Sequence, residues 1–455
     1  MAKNLTTPAK KISSTDAIFI IVGIVIGAGI FRAPSLVAAN TGSDFSFYLT
    51  WILGGLVSFI GALCYAELTT AFPNTGGDYH FIRRAFGQKP AFLFAWARMS
   101  VIQTGSIALL AYIFGDYLSE LYRIGEYSSF IYAAAIIILL TLVNVAGLRF
   151  GTGTQRLFTL SEVSGVLIVI LVGLLYQPQP GAVEVLPAAA GSSNALGMAM
   201  VFVLLTFGGW NEAAYISAEI KSGSRGMVKS LLISLLVITL LYLLINIAYI
   251  KVLGHRGLAE SPAAAAELMK IAWGPSGGYI IGLLVAVSAL TSANATIFTG
   301  ARTNYALGKD VSIFSSLGKW NERAAGPVNA FLAQGAISLA LISLGLFTRS
   351  GFETMIEYTA PVFWFFFLLT GLALFVLRIK EPGARRPFRV PLYPLTPAIF
   401  CLSSAYLLYS SLAYTGLGAL VGLGVLMAGM LILMIFRKPK ADEIVSLKEA
   451  ADIPS

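Results

Sequence analysis

Between Lys229 and Lys251 the chain carries SLLISLLVITLLYLLINIAYI, a stretch without one charged residue. About twenty predominantly apolar residues, rising about 1.5 Å each in a helix, are what a crossing of the bilayer hydrocarbon needs. Comparable stretches recur along most of the sequence. A soluble domain could not cover its surface with charged residues at 12% and a mean hydropathy of +0.80. The chain is therefore read as an all-α polytopic membrane protein.

Twelve spans are expected, at 14–38, 46–71, 90–117, 128–147, 155–176, 194–218, 227–250, 277–303, 328–347, 353–378, 393–412 and 416–436. The loop charges support this count. One set of alternating segments collects Lys10, Lys11, Arg83, Arg84, Arg149, Lys221, Arg225, Lys229, Arg302, Lys309, Arg385, Arg386 and Arg437. The other set holds only Arg123, Lys251, Arg256, Lys270 and Arg349. Cytoplasmic loops collect positive charge, so both termini, residues 1–13 and 437–455, are expected in the cytoplasm of a plasma-membrane protein. The excess of lysine and arginine is thereby topological, and no soluble basic domain exists to bind nucleic acid. The polar N-terminus has no small-residue cleavage site before the first apolar run, and is read as retained rather than as a signal peptide.

Cys64 and Cys401 both fall inside apolar segments, which argues against a disulfide framework or a cysteine metal site. His80 and His255 are placed in loops. No nucleophile–base set, metal spacing or phosphate loop suggests an enzyme, and no cofactor is implied. The segment 76–89, GGDYHFIRRAFGQK, sets Tyr79, Ile82 and Phe86 at helical spacing beside Arg83 and Arg84, which predicts a short helix on the cytoplasmic surface.

Two spans contain an oddity. The first carries GIVIGAGIFRAP at 23–34, and the sixth carries FGGWNE at 207–212. Glycine can serve close helix packing, and Gly23 and Gly27 form a G-x-x-x-G pair. The other reading is a break. Non-helical backbone at membrane depth survives only where protein buries it or a cavity faces it. Glycine-interrupted spans at matching positions in two halves point to a transporter's binding site. Breaks in spans one and six imply a five-helix repeat, inverted in the second copy because five is odd. The repeats would be 14–176 and 194–378, with 393–436 forming two peripheral helices. An unwound turn frees carbonyls that suit an ammonium, and the next half-helix offers N–H groups that suit a carboxylate. An α-amino acid carries both.

On GIVIGAGIF (23–31), LCYAEL (63–68), GGDY (76–79), FGGWN (207–211) and SANATIFTGAR (292–302), the chain resembles the amino acid–polyamine–organocation superfamily, most closely its L-type amino-acid transporters. The resemblance covers nearly all of 14–412 and implies the leucine-transporter fold, five plus five inverted helices with the first and sixth broken. It implies an amine held by carbonyls of Val25, Leu205 and Gly208, and a carboxylate at the N–H groups of Ala28 and Gly29, with Gly27 in the same turn. Ala28 stands where the family often has serine. Phe207 takes the place of the aromatic that covers the substrate, and Trp210 and Asn211 line its side-chain pocket. Heteromeric relatives bind an ancillary glycoprotein through a cysteine between spans three and four; this chain has none there, so no disulfide-linked subunit is expected.

The chain departs from that pattern at two charges. Glu162 stands in span five at or beside an expected lysine, and Arg98 stands in span three where close relatives carry an acid. Intramembrane charges are costly and functional by default. Glu162 could couple transport by coordinating Na⁺ with Ser288, Thr291 or Ser292, or by carrying a proton. Alternatively Arg98 and Glu162, at equal depth, could form a swapped ion pair. Arg32 and Glu212 each follow a break by three residues and are gate candidates on opposite sides, with a direct pair between them as the weaker reading. Glu67 is expected to have a buried structural partner. The function expected is secondary transport of L-amino acids, neutral ones first, by exchange or by cation- or proton-coupled symport; a transport-derived sensor and a channel are the alternatives.

Overall fold

The computed structural model describes residues 14–74, 76–147, 152–177, 193–212, 223–322, 324, 326–347 and 351–435. Among the described residues there is no strand, only an isolated bridge between Asn321 and Gly326. Seven helices are long and apolar enough to cross a membrane: Asp44–Ala71, Gln88–Leu121, Ser128–Val145, Arg225–Glu260, Pro275–Lys309, Gly351–Lys380 and Leu395–Ala413. Shorter apolar helices stand at Gly29–Ala39, Leu160–Leu175, Leu196–Thr206, Val328–Leu344 and Leu420–Met434.

The first expected span is two helices, α1 (Ser14–Val25) and α2 (Gly29–Ala39). Next come α3 (Asp44–Ala71), α4 (Gly77–Phe86), α5 (Gln88–Ala97) and α6 (Gln103–Leu121). Between α5 and α6 the span runs through a π-helical turn, Arg98–Ile102. Such turns bulge one residue out of register and frequently mark functional sites. Then follow α7 (Ser128–Val145), α8 (Thr152–Leu175), α9 (Ser193–Thr206), α10 (Gly223–Glu260), α11 (Ala264–Trp273), α12 (Pro275–Asp310), α13 (Val328–Leu344), α14 (Gly351–Lys380) and α15 (Leu395–Ile435).

The spans expected at 393–412 and 416–436 fall within α15, whose apolar stretches are Leu395–Ala413 and Leu420–Met434. Both histidines sit in helical segments rather than loops: His80 in α4, and His255 just past the kink at Gly254 (φ +69) that divides α10, where its Nε2 donates toward the carbonyls of Ala38 (2.9 Å) and Thr41 (2.8 Å). The short helix expected within 76–89 is α4, which buries Phe81 and Ile82 together with Asp78 and Ala85, packs Tyr79 and Phe86 partly buried against the core and leaves Arg83 and Arg84 exposed.

Close approach organises the packing around the breaks. α10 lies against α1, α2, α3 and α8, while α9 lies against α2, α3 and α15. A Cβ on Gly54 would meet the Val203 side chain at 2.2 Å, and one on Gly55 would meet Thr239 at 2.6 Å. Glycine at these two positions lets α9 and α10 seat directly on α3. At one end of α3, buried Glu67 accepts from Arg378 Nε (2.8 Å) and the Val390 N–H (2.7 Å), with Arg386 Nε at 3.4 Å. This is the structural partner expected for Glu67, and it ties the connector after α14 to the bundle.

Candidate functional site

α1 ends at Val25 because the chain turns at Ile26 and Gly27, where the Gly27 N–H reaches back only two residues to the Val25 carbonyl (2.8 Å). α2 then starts at Gly29 with Ala28 as its N-cap and no side-chain cap. The first N–H groups of any helix lack intrahelical acceptors, so α2 opens on uncapped donors. α9 ends at Thr206. Phe207 still donates to the Val203 carbonyl, and the Gly208 N–H closes a tight turn on the Leu205 carbonyl (3.0 Å). Gly209 has φ +108, a left-handed conformation that a side chain would strain. A short 3₁₀ turn, Trp210–Glu212, follows.

The two breaks face each other. A Cβ on Gly29 would lie 3.8 Å from Thr206, and one on Gly27 would lie 3.4 Å from the Ser292 hydroxyl on α12. Buried Tyr242 of α10 joins them, its hydroxyl 2.8 Å from the Val25 carbonyl and 3.2 Å from the Thr206 carbonyl. Phe207 is buried with its ring centroid 5.0 Å from Tyr242 and 6.2 Å from Trp51. Trp210 packs between Tyr65 (5.1 Å) and Phe367 (5.7 Å). Asn211 is buried and its side-chain oxygen accepts from the Gly209 N–H at 3.3 Å, holding the second break in shape.

The charges sort into three places. Glu162, buried on α8, accepts from Ser288 (3.0 Å) and Thr291 (3.1 Å) of α12. Arg98, at the π-helical turn, instead donates to Glu212 at 3.0 and 3.2 Å. The swapped pair between Arg98 and Glu162 therefore does not form. Equal depth fixes height along the bundle but not direction around it, and Glu162 turns toward α12 while Arg98 turns toward the second break. Arg32 does not meet Glu212 either. Its Nη1 donates to the Ser261 carbonyl (3.1 Å), its Nε lies 3.9 Å from Asp116, and it stands 5.7 Å over the Phe352 ring.

Asp78 joins the Arg98–Glu212 pair. It is buried at the start of α4, outside the candidate spans, with Oδ1 lacking a hydrogen-bond partner. Burial pushes its carboxyl up to about 6, opposed by Tyr65 and by the nearby Arg98 charge, and assisted by Glu212. Sequence reasoning missed Asp78, Asp116 and Tyr242. Asp116 was within reach, since an acid inside an apolar span is the signal that singled out Glu162. Asp78 stood in a quoted motif without a role. Tyr242 had no signal: one tyrosine in a leucine-rich run looks like core.

The sequence matches the amino acid permease family over residues 12–436. The chain belongs to that family. It is 30% identical to the b(0,+)-type amino acid transporter 1 of Mus musculus over 410 residues, 89% of this chain and 82% of the relative. The Homo sapiens counterpart is 30% identical over 409 residues, 88% of this chain and 82% of its own. The large neutral amino acids transporter small subunit 2 of Mus musculus is 29% identical over 431 residues, 92% of this chain and 80% of its own. With its several apolar helices, this amino acid permease is a multi-pass membrane protein of amino-acid transport, and it belongs with transporters rather than enzymes.

Proposed function

We propose that the chain is a secondary transporter moving neutral L-amino acids across the plasma membrane by alternating access, built on a five-plus-five inverted repeat with both termini cytoplasmic. The observation that carries this reading is the meeting of the two interrupted helices, with Tyr242 within bonding distance of a carbonyl from each. The substrate ammonium takes the carbonyls of Val25, Leu205 and Gly208 at the ends of α1 and α9. The carboxylate takes the N–H groups of Ala28 and Gly29 at the positive end of α2. The substrate side chain faces Phe207, Trp210 and Asn211, a largely apolar lining that favours neutral side chains.

Glu162 with Ser288 and Thr291, and Ser292 beside them, serves as the coupling site, three oxygens that suit Na⁺ or a proton shared with hydroxyls. Arg32 with Asp116 closes one side of the site, and Arg98 with Glu212 closes the other. The transporter works without a disulfide-linked subunit; its two cysteines are free and buried. Uptake of radiolabelled amino acids into proteoliposomes tests the proposal, with and without internal amino acid and with an imposed Na⁺ or H⁺ gradient. Saturable, stereoselective uptake of neutral amino acids is expected. Binding without uptake under every gradient would leave a sensor instead, and non-saturating flux a channel.

A further inference from the structure

A cavity of about 490 Å³ opens where the start of α10 faces the connector between α14 and α15. Two cations line it, Arg225 and Lys229, one helical turn apart. Among the described residues neither makes an ion pair or hydrogen bond, and no acidic side chain lines the cavity. The remaining walls are apolar: Val228, Leu232 and Ile233 from α10, Pro387 and Phe388 from the connector. The connector wall is held in place independently. Arg386 donates to the carbonyls of Leu377 (3.0 Å) and Glu381 (2.9 Å), and the Val390 N–H donates to Glu67.

Below the cations the same face of α10 stays exposed and apolar, through Leu236, Leu240, Leu244 and Ile247. From Arg225 these positions follow at helical spacing, so charge and apolar strip form one line along the helix. A soluble anion would satisfy the cations and leave the apolar walls and strip wet. A neutral lipid would cover the strip and leave two exposed cations unpaired. We propose that this cavity holds the phosphate headgroup of an anionic phospholipid whose acyl chains lie along the exposed face of α10. The end of the bundle concerned is the one where the loop cations gather, and basic residues there attract anionic lipid. The bound lipid bridges α10, which touches both halves of the first broken span, to a connector anchored on α3. The inference stands independently of what the protein transports.

Native mass spectrometry of the purified full chain tests it, with phosphatidylglycerol, phosphatidylcholine and soluble sn-glycerol 3-phosphate as probes. The intact chain is expected to retain phosphatidylglycerol in preference to phosphatidylcholine. The double variant Arg225→Gln/Lys229→Gln is expected to bind it about thirtyfold more weakly. Lys309→Gln, which removes an exposed cation elsewhere, should bind it as the intact chain does. Each single variant, Arg225→Gln and Lys229→Gln, provides a milder version should the double variant fail to elute as a monodisperse protein. Equal retention of the two lipids, unchanged binding in the variants, or full displacement of lipid by millimolar glycerol phosphate would each overturn the proposal.

Discussion

Replacing Tyr242 by phenylalanine removes one hydroxyl and nothing else from the meeting point of the two breaks. The ring keeps its neighbours, Trp51 at 5.8 Å and Phe207 at 5.0 Å, so core packing is preserved. What is lost is the donor facing the Val25 and Thr206 carbonyls at 2.8 and 3.2 Å. The Val25 carbonyl retains the Gly27 N–H. A net hydrogen bond contributes about 0.5–1.5 kcal/mol and a buried orphaned acceptor costs about 1–3 kcal/mol. With one of the two acceptors still engaged, the loss is about 1–2 kcal/mol, or about 5- to 30-fold in an equilibrium constant. If the hydroxyl holds both helix ends in the geometry that grips the ammonium, that loss falls on substrate binding. Initial-rate uptake in proteoliposomes should then give a KM about 5- to 30-fold higher. A KM within twofold of the intact chain would refute the role assigned to this bridge.

Three further outcomes are expected. Glu67→Ala strands Arg378 and Arg386 without their carboxylate, a loss of about 3 kcal/mol or more for a broken buried ion cluster; apparent Tm by fluorescence-detected size exclusion should drop sharply, and an unchanged Tm would count against the cluster. Asp78 keeps its proton in the folded chain up to about pH 6, whereas the unfolded chain releases it in the usual carboxylate range. Stability therefore falls as pH rises from about 4 to 6, by about 3 kcal/mol in all, and Asp78→Asn should flatten that part of the Tm–pH curve; parallel curves for the two proteins would refute this. Glu162→Gln should remove the dependence of uptake on a Na⁺ or H⁺ gradient, and adding Arg98→Gln should not restore it, because the two residues are not partners; restored coupling in the double variant would contradict the observed pairing.

The sequence made the breaks legible because glycine clusters are conspicuous in leucine-rich runs and their chemical use follows from helix ends. Charge-free lengths located the apolar helices for the same reason. What stayed hidden was azimuth. Residue count along a helix gave Arg98 and Glu162 the same depth, but the direction each faces depends on helix rotation, and the π-helical turn at Arg98–Ile102 lies just where that rotation changes. On α4 the apolar spacing picked out Ile82 with Tyr79 and Phe86, but nothing in it signalled that Asp78 and Ala85 would be buried beside Phe81.

The paired glycines of α3 bear on how such a molecule can move. Val203 drops into the hollow above Gly54, and Thr239 into the hollow above Gly55, so three helices are keyed together like teeth in a rack. Sliding any one past the others would drive a methyl group into a backbone. The helices that carry the second break and Tyr242 are thus obliged to travel with α3 as a single block, and the shear of any rearrangement falls on contacts beyond that block.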